Sequence, residues 1–119
     1  MIPVIYYAHS MGIYDTEQEQ EELDLILATF PDCAIYNPNR PAIQHHAEPM
    51  KRCLEIVKDA SINMVVFSAV FGQVTSGVML EVKAAHKINK PVYFLADEIT
   101  EFVDPFRKVT RRKKSYWTV

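Results

Sequence analysis

The chain has 119 residues, 49% of them hydrophobic, and a formal net charge of −2, which describes one globular domain able to bury about two-thirds of its unfolded surface. Its 3 glycines, against an average usage of roughly 7%, exclude collagen-like, repetitive and low-complexity architectures. No apolar run approaches the roughly 20 residues of a membrane span, no basic stretch leads into a signal-type apolar segment, and 2 cysteines without metal-ligand spacing suit a reducing cytoplasm.

Residues 3–8 (PVIYYA) carry no charge and end in His9, Ser10, Met11 and Gly12, the pattern of a strand buried on both faces. A helix follows over residues 16–30, with Thr16 as N-cap and acids in the first turns, where the helix dipole favours them. Its apolar face is Leu23, Ile26, Leu27 and Phe30. Pro31 and Asp32 end it, and a second strand over 33–36 runs into the turn residues Asn37, Pro38, Asn39, Arg40 and Pro41. Residues 48–60 predict a second helix with Met50, Cys53, Leu54 and Val57 on one face. Residues 62–69 (INMVVFSA) form the most hydrophobic strand, expected at the centre of the sheet. A loop over 70–77 opens a helix at 77–89; Pro91 then begins a strand over 92–96, a short helix is expected within 98–108, and a last strand at 116–119.

This alternation predicts an α/β fold: a Rossmann-like or flavodoxin-like three-layer sandwich with a parallel sheet of 4–5 strands in the order 2-1-3-4-5. Residues 1–106 form a single domain, and 107–119 a basic tail. The segment 107–114 (RKVTRRKK) holds six of the thirteen Lys and Arg residues, leaving seven bases against fifteen acids before it, a net of −8. Six cations suit nucleic acid or another anionic surface. They equally suit docking on the acidic body of this or a neighbouring subunit, which the apolar Tyr116, Trp117 and Val119 favour.

In such sheets a ligand binds beyond the carboxyl ends of the strands where the strand order reverses, here between strands 1 and 3. Gly12 follows strand 1, and Gly72 and Gly77 follow strand 3, so all three glycines fall in the loops framing that crevice. Thr75, Ser76 and Gly77 open a helix, whose free N–H groups and hydroxyls suit a phosphate or another anion; N-capping by either hydroxyl explains the same residues. Ser10 faces them from the first loop. There is no GxGxxG and no Walker P-loop, which argues against a dinucleotide enzyme or an NTPase, and no cofactor is expected.

Glu81 stands on the wrong face of its helix. At about 100° per residue it falls roughly 60° from Val78, inside the arc that Val78, Val82, Ala85 and Ile88 define. A carboxylate there is paired, tilted into a crevice, or costly. It either snorkels to water from the first turns of the helix or acts beside a bound ligand, as carboxylates do on an oxocarbenium-like sugar carbon.

Taken in order, the strand from Val4 to Ser10, the segment Tyr36, Asn37 and Pro38, the pair Asp59 and Ala60, the run from Thr75 to Glu81, Ala85, and Lys90, Pro91 and Val92 resemble the nucleoside 2-deoxyribosyltransferase superfamily. The 2′-deoxynucleoside 5′-monophosphate N-glycosidases are its closest-looking subgroup. The resemblance spans roughly residues 3–96. It implies a flavodoxin-like sheet, Glu81 as the nucleophile at C1′ of the sugar, a small-molecule nucleotide or nucleoside as partner, and a homodimer. It further implies Ser10 and Thr75 on the phosphate side and Tyr6 as the aromatic residue of the first strand, with His9, Gly12, Ser76 and Gly77 completing the binding set. Cys53 falls where the family carries a second acid, Glu55 lies about 200° around the helix from it, and His9 replaces a glycine. Neither a membrane nor nucleic acid is expected as partner. His45 and His46 point apart in a loop with no third ligand, so no metal is expected; His86 reads as a partly buried structural histidine, and Cys53 as a small apolar core residue.

Overall fold

A computed structural model describes residues 2–103; the basic tail at 107–119, its expected docking and the strand expected at 116–119 lie outside the described residues. Five strands form one sheet: β1 (Val4–Ala8), β2 (Ala34–Tyr36), β3 (Met64–Ser68), β4 (Val92–Leu95) and β5 (Ile99–Glu101), in the order β2-β1-β3-β4-β5. The expected 2-1-3-4-5 order is thus the observed one. The uncharged β1 and β3 lie inside the sheet and pair in parallel, Tyr6 opposite Val65 and Tyr7 opposite Val66.

Alternation along these strands divides the core into two. Tyr6, Ala8, Val65 and Phe67 face one side, packed with Cys53 and Val57 of α3 (Pro49–Lys58) and Val78, Val82 and Ala85 of α4 (Ser76–Lys87). Ile5, Tyr7 and Val66 face the other, against Ile26 of α1 (Glu17–Thr29). Helices therefore cover both faces, as in Rossmann-like α/β folds.

The sheet is not wholly parallel. β5 runs antiparallel to β4, Phe94 opposite Thr100, where a helix within 98–108 was expected. Only Ala96, Asp97 and Glu98 separate the two strands, and a parallel return requires a crossover of a dozen or more residues. The chain can only turn back on itself. Phe102 then continues the ladder, its N–H donating to the Val92 carbonyl at 2.9 Å, and sets its ring edge-on to Phe67 with centroids 5.0 Å apart.

Two further differences bear on the site. Residues read as turn chemistry after β2 include a short helix, α2 (Pro41–Gln44), started by proline at its first position. Helix α1 is also rotated from the face its leucines suggest: Leu27 is exposed, while Glu19 and Glu22 are buried. The cause is polar. The Tyr7 and Ser68 hydroxyls both donate to Glu22 Oε1, and His9 Nε2 lies 2.7 Å from Glu19 Oε2, so both carboxylates find partners that make their burial tolerable.

Helix α4 ends on Asn89 at φ 61°. The N–H of Asn89 bonds the His86 carbonyl and that of Lys90 the Ala85 carbonyl, each at 3.0 Å, a Schellman closure with Asn in place of glycine.

Between β3 and α4, Val70 and Gln73 exchange backbone hydrogen bonds of 2.8 and 2.9 Å around Phe71 at φ 50° and Gly72 at φ 75°. Positive φ at both central positions is the type I′ signature, which favours Asn-Gly. Phe71 is 100% exposed there, so its side chain offsets none of the strain of a bulky residue in the left-handed region. Replacing Phe71 with Asn is expected to stabilise the fold by about 1 kcal/mol, read as a higher urea midpoint. An unchanged or lower midpoint would show that the loop carries no such strain.

Candidate functional site

A cavity of about 500 Å³ opens beyond the ends of β1 and β3. The loop after β1 lines it with His9, Ser10, Met11 and Tyr14, and α2 with Ile43 and Gln44. The opposite wall is Pro49, Met50 and Cys53 of α3, with Thr75, Gly77 and Glu81 at the start of α4. Ser10, from the loop after β1, thus meets Thr75 and Glu81, from the start of α4, at one cavity. Gly77 matters for packing: a Cβ there would lie 3.4 Å from Met50 Sδ, so α4 starts close against α3.

Glu81 is 5% exposed and receives the Tyr6 hydroxyl at 2.5 Å on Oε2. Its position in the apolar arc therefore reflects real burial, not a side chain reaching for bulk water. Loss of solvation raises its pKa to about 7, against the opposing effect of hydrogen bonds from Tyr6 and Cys53. Burial likewise pushes up the Tyr6 phenol, helped by the neighbouring Glu81 charge. The Cys53 thiol is raised by burial too, partly opposed by its hydrogen bond with Tyr6. Both groups keep their protons, and the Tyr6 hydroxyl donates its own to the Glu81 carboxyl. Cys53 is thus a core residue, as expected, and also a neighbour of the candidate nucleophile; a thiol held protonated is a poor nucleophile itself.

His9 is buried and stacked flat on Tyr7, centroids 3.6 Å apart. Its Nδ1 donates to the Tyr7 carbonyl at 3.0 Å and its Nε2 meets the Glu19 carboxylate. The ring therefore lines the cavity while its nitrogens are engaged behind the wall. Burial alone would raise the Glu19 carboxyl; the hydrogen bonds from His9, the Asp15 N–H and Asn39 outweigh it and hold Glu19 below the usual carboxylate range. Asn39 also accepts the Gln44 amide at 2.7 Å, so this network ties α2, and its side of the cavity, to α1.

The remaining expected site residues divide. Thr75 caps α4 through its backbone, but its hydroxyl makes no capping bond, which leaves that hydroxyl to the cavity. Ser10 Oγ accepts the Gly12 N–H at 3.0 Å, so Gly12 serves the turn after β1. Gly12, Gly72 and Ser76 flank the cavity without lining it, and Tyr6 reaches it only through Glu81. Of the three glycines, Gly77 alone contributes to the wall. Tyr14, Gln44 and Met50 line the cavity and were not singled out by sequence for that role; the signal for Tyr14 was its place four residues beyond Ser10 in the same loop. Among the described residues no lysine or arginine lines this cavity. Among the described residues no cluster of three or more His, Cys, Asp or Glu could hold a metal ion, and no helix is long and apolar enough to cross a membrane.

No protein-family model matches the chain, and comparison with curated proteins returns no relative.

The raised Glu81 pKa fixes a sign for stability. The folded state holds this proton more firmly than the unfolded chain, so stability is greatest below the ordinary carboxyl range and falls as pH rises through 7. Relative to wild type, Glu81→Gln should gain about 3 kcal/mol between pH 4 and pH 9, measured as the difference in urea denaturation. A constant difference across that range would mean that Glu81 titrates at the same pH in the folded and unfolded chain.

Proposed function

We propose that this chain cleaves or transfers at the N-glycosidic bond of a (deoxy)nucleoside 5′-monophosphate, with Glu81 as nucleophile, on a flavodoxin-like three-layer sandwich of the nucleoside 2-deoxyribosyltransferase type. One observation carries the reading: a buried carboxyl opens on the same cavity as the hydroxyls of Ser10 and Thr75 and the first turn of α4. Helix N-termini attract anions through unpaired N–H groups and the helix dipole, and the Thr75 hydroxyl is not spent on capping. The phosphate sits there, and Met11, Ile43 and Met50 offer apolar surface to a heterocyclic base.

In this reading the ionised Glu81 attacks C1′, a carboxylate–sugar bond forms, and the C1′–N bond breaks with its electron pair leaving on the base. Water, or a second base, then attacks C1′ and releases Glu81. Tyr6 holds the carboxyl in place from outside the cavity, and Cys53 stands in the wall with it. A homodimer belongs to the same reading.

A second reading, a nucleotide-binding module with little or no turnover, draws on the lining itself: among the described residues Glu81 is the single carboxyl residue in the cavity wall, and Cys53 lines the wall with it. General acid–base assistance is typically worth 10²–10⁴-fold, so its absence favours slow chemistry.

The test is base release from a panel of nucleosides and their 5′-monophosphates, followed by chromatography. Release from monophosphates above background, abolished in Glu81→Ala, is the expected result. Equal background release by both proteins removes the enzymatic reading, and tight nucleotide binding without release would establish the second. The pH profile adds an independent check. Because the nucleophile must be ionised, kcat/KM should rise with pH and level off above about 7. A profile that falls through that range would assign Glu81 a proton-donating role instead.

A further inference from the structure

A departing base carries the electron pair of the broken bond, so a donor facing it stabilises the transition state more than the ground state. Most donors around the cavity are already engaged. The Tyr6 hydroxyl donates to Glu81, and the Cys53 thiol lies buried beside the same pair. The two nitrogens of His9 meet the Tyr7 carbonyl and Glu19, and the Gln44 amide donates to Asn39. Ser10 Oγ accepts the Gly12 N–H and keeps its own proton, which in this reading goes to the phosphate, as does the Thr75 hydroxyl at the N-terminus of α4. Tyr14 remains. Its ring lies against His9, centroids 4.9 Å apart, it lines the cavity together with Met11, Ile43 and Met50, and its hydroxyl makes no hydrogen bond among the described residues.

We propose that Tyr14 is the residue that recognises the base: its hydroxyl donates a hydrogen bond to an acceptor nitrogen or oxygen of the leaving heterocycle, and this bond strengthens as the C1′–N bond breaks. The proposal rests on the nucleotide reading of the cavity and adds to it the group that meets the base. The phenol gives a hydrogen bond, not its proton. Burial above all, with the neighbouring carboxylates Glu81 and Glu19, holds it firmly protonated, and the base takes its proton from water after departure.

Tyr14→Phe keeps the ring on His9 and removes only the hydroxyl; circular dichroism and thermal melting verify its fold. With natural deoxynucleoside monophosphates, kcat/KM should fall about 100-fold. With 4-nitrophenyl 2-deoxyribosyl 5-phosphate, whose phenolate leaves without help, it should fall by less than about threefold. Equal losses on both substrates would make Tyr14 structural and overturn the proposal while leaving the function of Glu81 intact. Binding of free adenine, hypoxanthine, cytosine and thymine, measured by calorimetry in a Glu81→Ala background, gives a readout that needs no turnover. At least one base should bind, and about tenfold more weakly without the Tyr14 hydroxyl. That result with no base release by wild type would retain Tyr14 and remove the enzyme; no base bound, or identical affinities, would remove Tyr14.

Discussion

The hydrogen bond from Tyr6 to Glu81 organises this protein. It joins the first strand to the last described helix through a phenol and a carboxyl, both withdrawn from water. A carboxyl placed there without a donor would face the full penalty of desolvation. With Tyr6 and Cys53 beside it, the group stays in an apolar interface with its proton balanced near neutrality. The neighbouring geometry accommodates that pair: Gly77 lets α4 begin close to Met50, and Cys53 comes from the same stretch of α3.

The same strand repeats the device on its other face. Tyr7 donates to Glu22, and His9 pairs with Glu19, both from α1. Successive residues of a strand point to opposite faces, so two adjacent tyrosines deliver hydroxyls to two carboxyls on helices on opposite sides of the sheet. β1 is thus both the apolar centre of the core and the donor strip to which α1 and α4 are fastened. The second network extends through Asn39 to Gln44, which is how an acid on one face of the sheet comes to position a cavity wall on the other.

Much of this was legible in the sequence, because it depends on local periodicity. The strand order followed from alternating elements and short connections, and the arc position of Glu81 anticipated its burial. What escaped depends on partners distant in the chain. The acids of α1 read as partners of the helix dipole because nothing local reveals that Tyr7, His9 and Ser68 await two of them. β5 has three residues, too few to show a period, and its direction is set by the short return from β4. Tyr6 read as a substrate-facing aromatic, yet no pattern within β1 distinguishes a ring at the cavity surface from one beneath a carboxyl. The glycines marked the correct end of the sheet, but two of the three serve turns.

Tyr6 and Glu81 are separated by 75 positions, and that distance is also an interval of time. A ribosome adds about 5–20 residues per second, so roughly 4 to 15 s pass between the synthesis of the phenol and that of its carboxyl. For most of that interval β1 has neither β3 nor α4 to cover it, since β3 is completed only at Ser68, and its apolar run is exposed to any other strand nearby. A nascent chain halted before α4 therefore holds most of the cavity's described lining, from His9 to Cys53, but neither Gly77 nor the carboxyl that the phenol awaits.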